Sequence, residues 1–359
     1  MAAGLAEALP GRVQARLVPL ADGGEGTVDC FLAALGGQRV VRRVRGPLDA
    51  EVSAAYAILP DDSAVVEIAA ASGLPLVPPG RRDPMRTTSF GTGQLIRDAL
   101  DRGVRRFIFG LGGSATVDGG MGLAAALGAR FLDQDGREVS PDGSGLLRVD
   151  RLDMSGWDKR LRESVFTVAS DVDNPLLGPQ GAAAVFGPQK GATPEQVNLL
   201  DGGLALWAKA VREELQVDVA GTAGAGAAGG VGAAAMALFN AAARPGVELV
   251  MEVARFDEHL RQASLVLTGE GRIDAQTAHG KGPLGVAKRC REAGVPLVVF
   301  AGSVGGSEEQ FRTLGFHLVM PVVPGPSTVG EAMANAAENV RNAARRLGWA
   351  LALGHRVLR

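Results

Sequence analysis

Apolar runs in this chain repeatedly give way to segments that mix glycine with acid and hydroxyl side chains, and helical patterns follow most of them. The run Val104 to Phe109 enters Gly110-Leu-Gly-Gly-Ser-Ala-Thr-Val-Asp-Gly-Gly120 and then the Ala/Leu-rich stretch Met121 to Leu132. Val13 to Leu20 leads in the same way to Ala21-Asp-Gly-Gly-Glu-Gly-Thr27, followed by Val28, Phe31, Leu32 and Leu35 on one helical face. Val165 to Ala169 precedes Ser170-Asp-Val-Asp-Asn-Pro175, and Leu265 to Thr268 precedes Gly269-Glu-Gly-Arg-Ile-Asp274. This order of strand, glycine loop and helix belongs to α/β proteins, which bind ligands at the carboxyl ends of their strands. From Gln38 to Ala69 the pattern changes to short β runs, Val40 to Val44, Val52 to Leu59 and Val65 to Ala69, separated by turns, which predicts antiparallel hairpins. Further helices are expected at Met1 to Leu9, Leu95 to Leu100, Pro194 to Glu214, Ala233 to Ala243, Pro283 to Ala293 and Val329 to Leu353, with strands at Pro296 to Ala301 and Leu318 to Val323.

The style changes near Arg45 and returns near Phe256, which predicts a doubly wound parallel domain from residues 1–45 and 256–359, interrupted by an inserted α/β domain over residues 46–255. A length of 359 residues exceeds what one core usually organises and fits that division. Aromatic residues are only 4% and glycines number 51, roughly twice ordinary usage, so small residues stand where backbones meet ligands. A net charge of −2 without long runs of like charge advertises no surface for nucleic acid or anionic membrane. No segment reaches about eighteen uninterrupted apolar residues, and the chain is expected to be soluble and cytoplasmic. Cys30 and Cys290 are widely separated, which suits reduced thiols, and four scattered histidines leave metal and acid-base chemistry to carboxylates.

The glycine loop offers backbone N–H groups to an anion, and Ser114, Thr116 and Asp118 within it add polar groups that a bare turn does not need. Asp22 and Glu25 sit at a strand end as candidate metal or base groups; alternatively they cap the helix behind them. Asp171 and Asp173, two apart, can face one hard cation, or with Asn174 build turns before Pro175. Lys190, inside Gly187-Pro-Gln-Lys-Gly191, is placed to meet a phosphate as a point charge. The loop after Leu267 holds Glu270, Arg272 and Asp274, with Lys281 following, and the Arg272 fork matches a carboxylate.

Six blocks, in order, resemble the type I glycerate kinases: Ala21 to Thr27, Gly110 to Thr116 with Asp118-Gly-Gly120, Ser170 to Pro175, Phe186-Gly-Pro-Gln-Lys-Gly-Ala192, Gly226-Ala-Ala-Gly-Gly-Val-Gly232 and Thr268 to Asp274. The resemblance implies a discontinuous Rossmann-like parallel-sheet domain with an inserted mixed α/β domain, the active site in the cleft between them, and Mg2+- and ATP-dependent phosphorylation of D-glycerate, favouring 2-phosphoglycerate. In that scheme Gly112, Gly113, Ser114, Ala115 and Thr116 hold nucleotide phosphates, and Asp171, Lys190 and Asp22 serve catalysis. Arg272, Lys281, Asp274 and Glu270 take the substrate, and Asp171, Asp173 and Glu25 take the metal. A homodimer is left open. Val117 stands where the family commonly has Asn, and the family's first strand with its Pro-Asp-Ser-Phe-Lys-like loop has no counterpart before the first helix. Met1 is therefore expected to be an internal or misassigned start, and a version about twenty residues longer to be more stable and more active. Two rivals stand beside this reading: another small-molecule kinase with a Gly-Leu-Gly-Ser-Ser-Ala-like phosphate loop, and a nucleotide- or metabolite-binding member of the fold without turnover.

Overall fold

The computed structural model describes residues 1–274 and 282–357. The chain folds into two compact units, Met1–Val18 with Arg255–Arg359, and Pro19–Ala254.

The contiguous unit is built on a six-stranded sheet. In chain order its strands are β1 (Gln38–Arg45), β2 (Glu51–Ile58), β3 (Ser63–Glu67), β4 (Arg106–Gly110), β7 (Val165–Ala169) and β8 (Ala242–Arg244), while β5 (Arg130–Leu132) and β6 (Arg151–Asp153) form a separate ribbon. The hairpins expected from the alternation are present, with β1 antiparallel to β2 and β2 antiparallel to β3; β3, β4, β7 and β8 then run parallel. Both faces are covered. Ala64 and Val66 point into the main core, and Val65 points to the opposite face with Val28, Phe31 and Val250. Burial on both faces explains why β3, Ser-Ala-Val-Val-Glu, has three consecutive apolar residues between a serine and an acid rather than alternation. Phe107 and Phe166, side by side on β4 and β7, stack with centroids 4.5 Å apart, and Phe239 continues the stack from the helix Ala227–Phe239.

The boundary expected near Arg45 is corrected to Val18, because β1 is the hydrogen-bonded partner of β2 along its whole length and cannot belong to another sheet. Residues 13–20 form no strand; only Pro19 and Leu20 of that apolar run join the contiguous unit.

The other unit has a three-stranded parallel sheet, β9 (Val266–Ile273), β10 (Leu297–Val304) and β11 (Leu318–Pro321), with β10 in the middle. The helix Ala2–Ala8 packs against the helix Ala336–Val357, so closely that a Cβ on Gly4 would stand 2.1 Å from the Arg341 carbonyl oxygen. Leu5, Ala343, Ala344 and Leu347 are buried there against Val298 and Phe300 of β10, and Glu7 pairs with Arg341 and Arg345. The single closing helix expected over Val329 to Leu353 is two, Val329–Ala334 and Ala336–Val357, broken at Asn335.

Candidate active site

In the contiguous unit, three of the glycine loops meet at the carboxyl ends of β4 and β7. Leu111 N–H donates to the Ala169 carbonyl at 3.3 Å and Gly112 N–H to the Gly23 carbonyl at 3.1 Å. A Cβ on Gly112 would lie 2.5 Å from Gly24 Cα, so the two loops touch backbone to backbone. Farther along, Leu74 N–H donates to Gly113 C=O at 2.8 Å and Ala115 N–H to Ser72 C=O at 2.9 Å. The segment 226–232 closes the other side, where Gly119 N–H donates to Gly229 C=O at 3.1 Å and Gly226 N–H to Asn174 C=O at 2.9 Å. The loop is thus pinned at both edges. Among the described residues, the amides of Gly113 and Ser114 have no acceptor, which is the condition an anion-binding loop must meet.

Lys190 comes from below. It is 3% exposed, and its Nζ donates to Ser114 Oγ at 2.8 Å and to the Thr116 carbonyl at 2.7 Å. Both acceptors are neutral, and burial pulls the ammonium down to about 7 against the opposing field of Asp118. The sequence places this lysine in a loop facing a phosphate; the structure seats it beneath the glycine loop, joined to Ser114, one of the two residues that carry the unmatched amides.

The acids fall into two groups. Asp171 accepts from Gly246 N–H at 3.1 Å through Oδ1, while its Oδ2 is buried with no partner among the described residues. Burial, followed by the nearby Asp22 carboxylate, pushes Asp171 up to about 6. Asp22 is exposed and accepts from Gly24 N–H at 3.1 Å. The second group is Glu25 with Glu67, which line a recess of about 260 Å³ together with Arg39 and Asp29. Glu67, buried at the end of β3, accepts from the backbone of Val28 and Gly26 at the start of the helix Thr27–Leu35. Helix capping is therefore done by Glu67, and Asp22 and Glu25 are released from it. Asp173 is exposed, and among the described residues no three His, Cys, Asp or Glu side chains cluster closely enough to hold a metal by themselves.

Comparison with known proteins decides the family. The profile of the glycerate kinase family matches residues 1–352. The chain belongs to the glycerate kinase family. It is 47% identical over 333 residues to a glycerate kinase of Halalkalibacterium halodurans, covering 92% of this chain and 88% of that one. It is 44% identical over 340 residues to the glycerate 2-kinase of Escherichia coli, covering 94% and 89%. The crystal structure of a putative glycerate kinase 2 from Salmonella typhimurium superposes with a TM-score of 0.79 at 47% identity, covering 99% of this chain and 93% of that one. The α/β class and the small-molecule kinase class expected from the sequence are those of this family.

For this glycerate kinase family member the remaining candidate residues belong to the unit built on β9 to β11. Arg272 is largely exposed and pairs with Asp274 at 2.8 Å; Glu270 accepts from the N–H of Gly271 at 3.2 Å. Lys281 lies outside the described residues. Among the described residues no helix is long and apolar enough to cross a membrane. Three buried groups escape a reading of the sequence: Glu67, Ser89 and the structural part played by Asp118. Thr87-Thr-Ser89 has the look of the approach to a helix, yet Thr87 Oγ1 donates to Ala115 C=O at 2.9 Å and Ser89 gives both its N–H and its hydroxyl to Asp118. The one signal in the chain is Glu67 ending an otherwise apolar strand.

Proposed function

We propose that this protein transfers the γ-phosphoryl group of ATP to D-glycerate, at the 2-hydroxyl, with Mg2+. The observation that carries the reading is the buried Lys190 under a pinned glycine loop with unmatched amides. Phosphoryl transfer depends mainly on positioning and on neutralising charge, and a desolvated cation beside free N–H groups supplies both for nucleotide phosphates. The names of the relatives support glycerate as acceptor, and that of the Escherichia coli protein supports the 2-position.

Asp171 and Asp22 suit the acceptor side. The unpartnered Oδ2 of Asp171 lacks a donor, which a substrate hydroxyl or a cation would provide, and its raised pKa suits a base working near neutrality. Mg2+ commonly takes one or two carboxylates and completes its shell with phosphates and water, so this pair fits it without a third acid; bound, it would neutralise phosphate charge. In this scheme Arg272 takes the glycerate carboxylate through its planar fork, with Glu270, Asp274 and Lys281 beside it in the sequence.

The test is ADP release with D-glycerate, galactose and mevalonate, with and without a divalent cation, reading the position of the new phosphate by phosphorus NMR. Metal-dependent 2-phosphoglycerate is expected. Phosphorylation of galactose or mevalonate but not glycerate would refute the substrate, and the 3-phosphate would refute the regiochemistry.

A further inference from the structure

We infer that Asp118, through the glycine loop and Lys190, is a positioning residue for the nucleotide phosphates; this rests on the kinase reading above. Asp118 has no exposed surface, yet its carboxylate receives four donors. Oδ1 accepts Gly120 N–H at 3.0 Å, and Oδ2 accepts Ser89 N–H at 2.8 Å, Ser89 hydroxyl at 2.7 Å and Gly122 N–H at 3.2 Å. Ser89 Oγ in turn accepts Leu123 N–H at 2.9 Å. One side chain thereby ties the start of the helix Phe90–Asp101 to the start of the helix Met121–Ala126, and between them fixes where the glycine loop ends. Ser89 occupies the N-cap of its helix without capping it: its hydroxyl oxygen accepts Leu123 N–H and its proton goes to Asp118.

A carboxylate accepts at both of its oxygens, whereas serine has one oxygen and asparagine would turn its NH2 donor toward part of this donor set, and the carboxylate does so at the cost of a buried charge. Beyond its acceptors, the carboxylate adds charge. Lys190 is held by two neutral acceptors, one of them Thr116, two positions before Asp118, and the field of Asp118 favours its ammonium. Arg82 also stands against this turn, its backbone packed on Gly191. Burial pushes the Asp118 carboxyl upward while its four donors favour the ionised form. Removing the negative charge makes the ammonium less favourable, so Lys190 sheds its proton at a lower pH. The floor that holds Gly113 and Ser114 loosens at the same time.

The experiment titrates ADP into the full chain by calorimetry from pH 6 to 9, for wild type, Asp118→Asn and Ser89→Ala, and measures KM for ATP and for glycerate. Asp118→Asn is expected to weaken ADP binding about tenfold or more at pH 8, the factor that accompanies one unit of pKa, and to move the alkaline fall in affinity to lower pH. The ATP KM should rise in parallel while the glycerate KM stays within about twofold. Ser89→Ala should weaken ADP binding less and leave the alkaline limb in place, since the charge remains. A uniform loss of kcat with unchanged ADP affinity and pH dependence in Asp118→Asn would overturn the inference and leave Asp118 a scaffold residue. If Asp118→Asn does not fold, Ser89→Ala decides: unaltered ADP affinity overturns the inference, and weaker ADP binding with unaltered glycerate KM upholds it. ADP binding is read without glycerate. Asp118-dependent nucleotide binding in a protein that does not phosphorylate glycerate would therefore sink the substrate assignment alone, whereas no nucleotide binding by the wild type would sink both.

Discussion

Replacing Gly229 by alanine tests whether the segment 226–232 is a packing surface for the glycine loop. Gly229 has φ +68°, and a Cβ there would stand 2.0 Å from the Thr116 carbonyl oxygen and 2.7 Å from Val117 Cα. The backbone conformation is only part of the cost, since the neighbouring Ala228 already holds φ 53°. A left-handed alanine costs about 1–2 kcal/mol, overpacking a close contact about 1–3 kcal/mol, and loss of the hydrogen bond from Gly119 about 1 kcal/mol. The sum, about 3–6 kcal/mol, corresponds to a fall in Tm of about 6–24 °C for a unit of this size. The displaced Thr116 carbonyl is also an acceptor of Lys190, so activity should fall in the molecules that remain folded. Thermal unfolding followed by circular dichroism measures the loss, with Gly202→Ala as the control. Gly202 is exposed in the helix Pro194–Leu215 with open space where its Cβ would be, and alanine there should stabilise by about 0.5–1 kcal/mol. If Gly229→Ala melts with the wild type, the close packing of this segment on the glycine loop is wrong.

Three further substitutions address the charged groups. Lys190→Met should lower kcat by about 10²-fold or more with an intact circular dichroism spectrum. Because Lys190 sits at about 7, below its ordinary 10.5, folding releases its proton between those limits; wild-type stability should therefore rise with pH from about 7 upward, and the variant should lack that slope in urea melts. Asp171 is raised instead, from 3.8 to about 6, so its contribution is intact below pH 3.8 and lost as pH rises through 6. In EDTA, Asp171→Asn should thus match wild-type stability near pH 3.5 and exceed it at pH 8 by about 1–2 kcal/mol, after discounting for partial exposure, while losing turnover. A destabilised variant at pH 8 would contradict the burial argument. Arg272→Lys should raise the glycerate KM more than the ATP KM, as a point charge replaces a fork; a change confined to ATP would move Arg272 to the nucleotide.

What is legible in the sequence is what local periodicity controls. The runs around Val40 and Val52 alternate because an edge strand and its neighbour have faces to separate, the run around Val65 is apolar on both faces, and β1 to β3 follow from these patterns. The three glycine loops and the acidic segment Ser170 to Pro175 stand out because each ends an apolar strand or run. Two kinds of information are not local. The partners of Lys190 lie 76 and 74 positions away, so its loop can be recognised but its burial cannot. Glu67 caps its helix through Val28, 39 positions earlier in the chain, which leaves Asp22 and Glu25 equally credible as caps. A boundary near Arg45 is misplaced because it treats hairpins as the mark of a new domain, when the strand-loop-helix segment before them covers the same sheet through Val28 and Phe31. The apolar run Val13 to Leu20 has strand composition without a strand, since half-buried apolar residues in an irregular segment leave the same trace.

The packing of Ala2–Ala8 on Ala336–Val357 also orders events on the ribosome. Glu7 and its partner Arg341 are 334 positions apart, which at about 5–20 residues per second puts their synthesis about 15–70 s apart. During that interval Leu5 has no surface to bury against, whereas Pro19–Ala254 emerges as one uninterrupted piece whose sheet can close before the rest is made. The unit of Met1–Val18 and Arg255–Arg359 is therefore the later to form, and any delay in making the helix Ala336–Val357 leaves a folded glycine loop tethered to a helix whose Leu5 is uncovered, a form of the nascent chain open to chaperones and proteases.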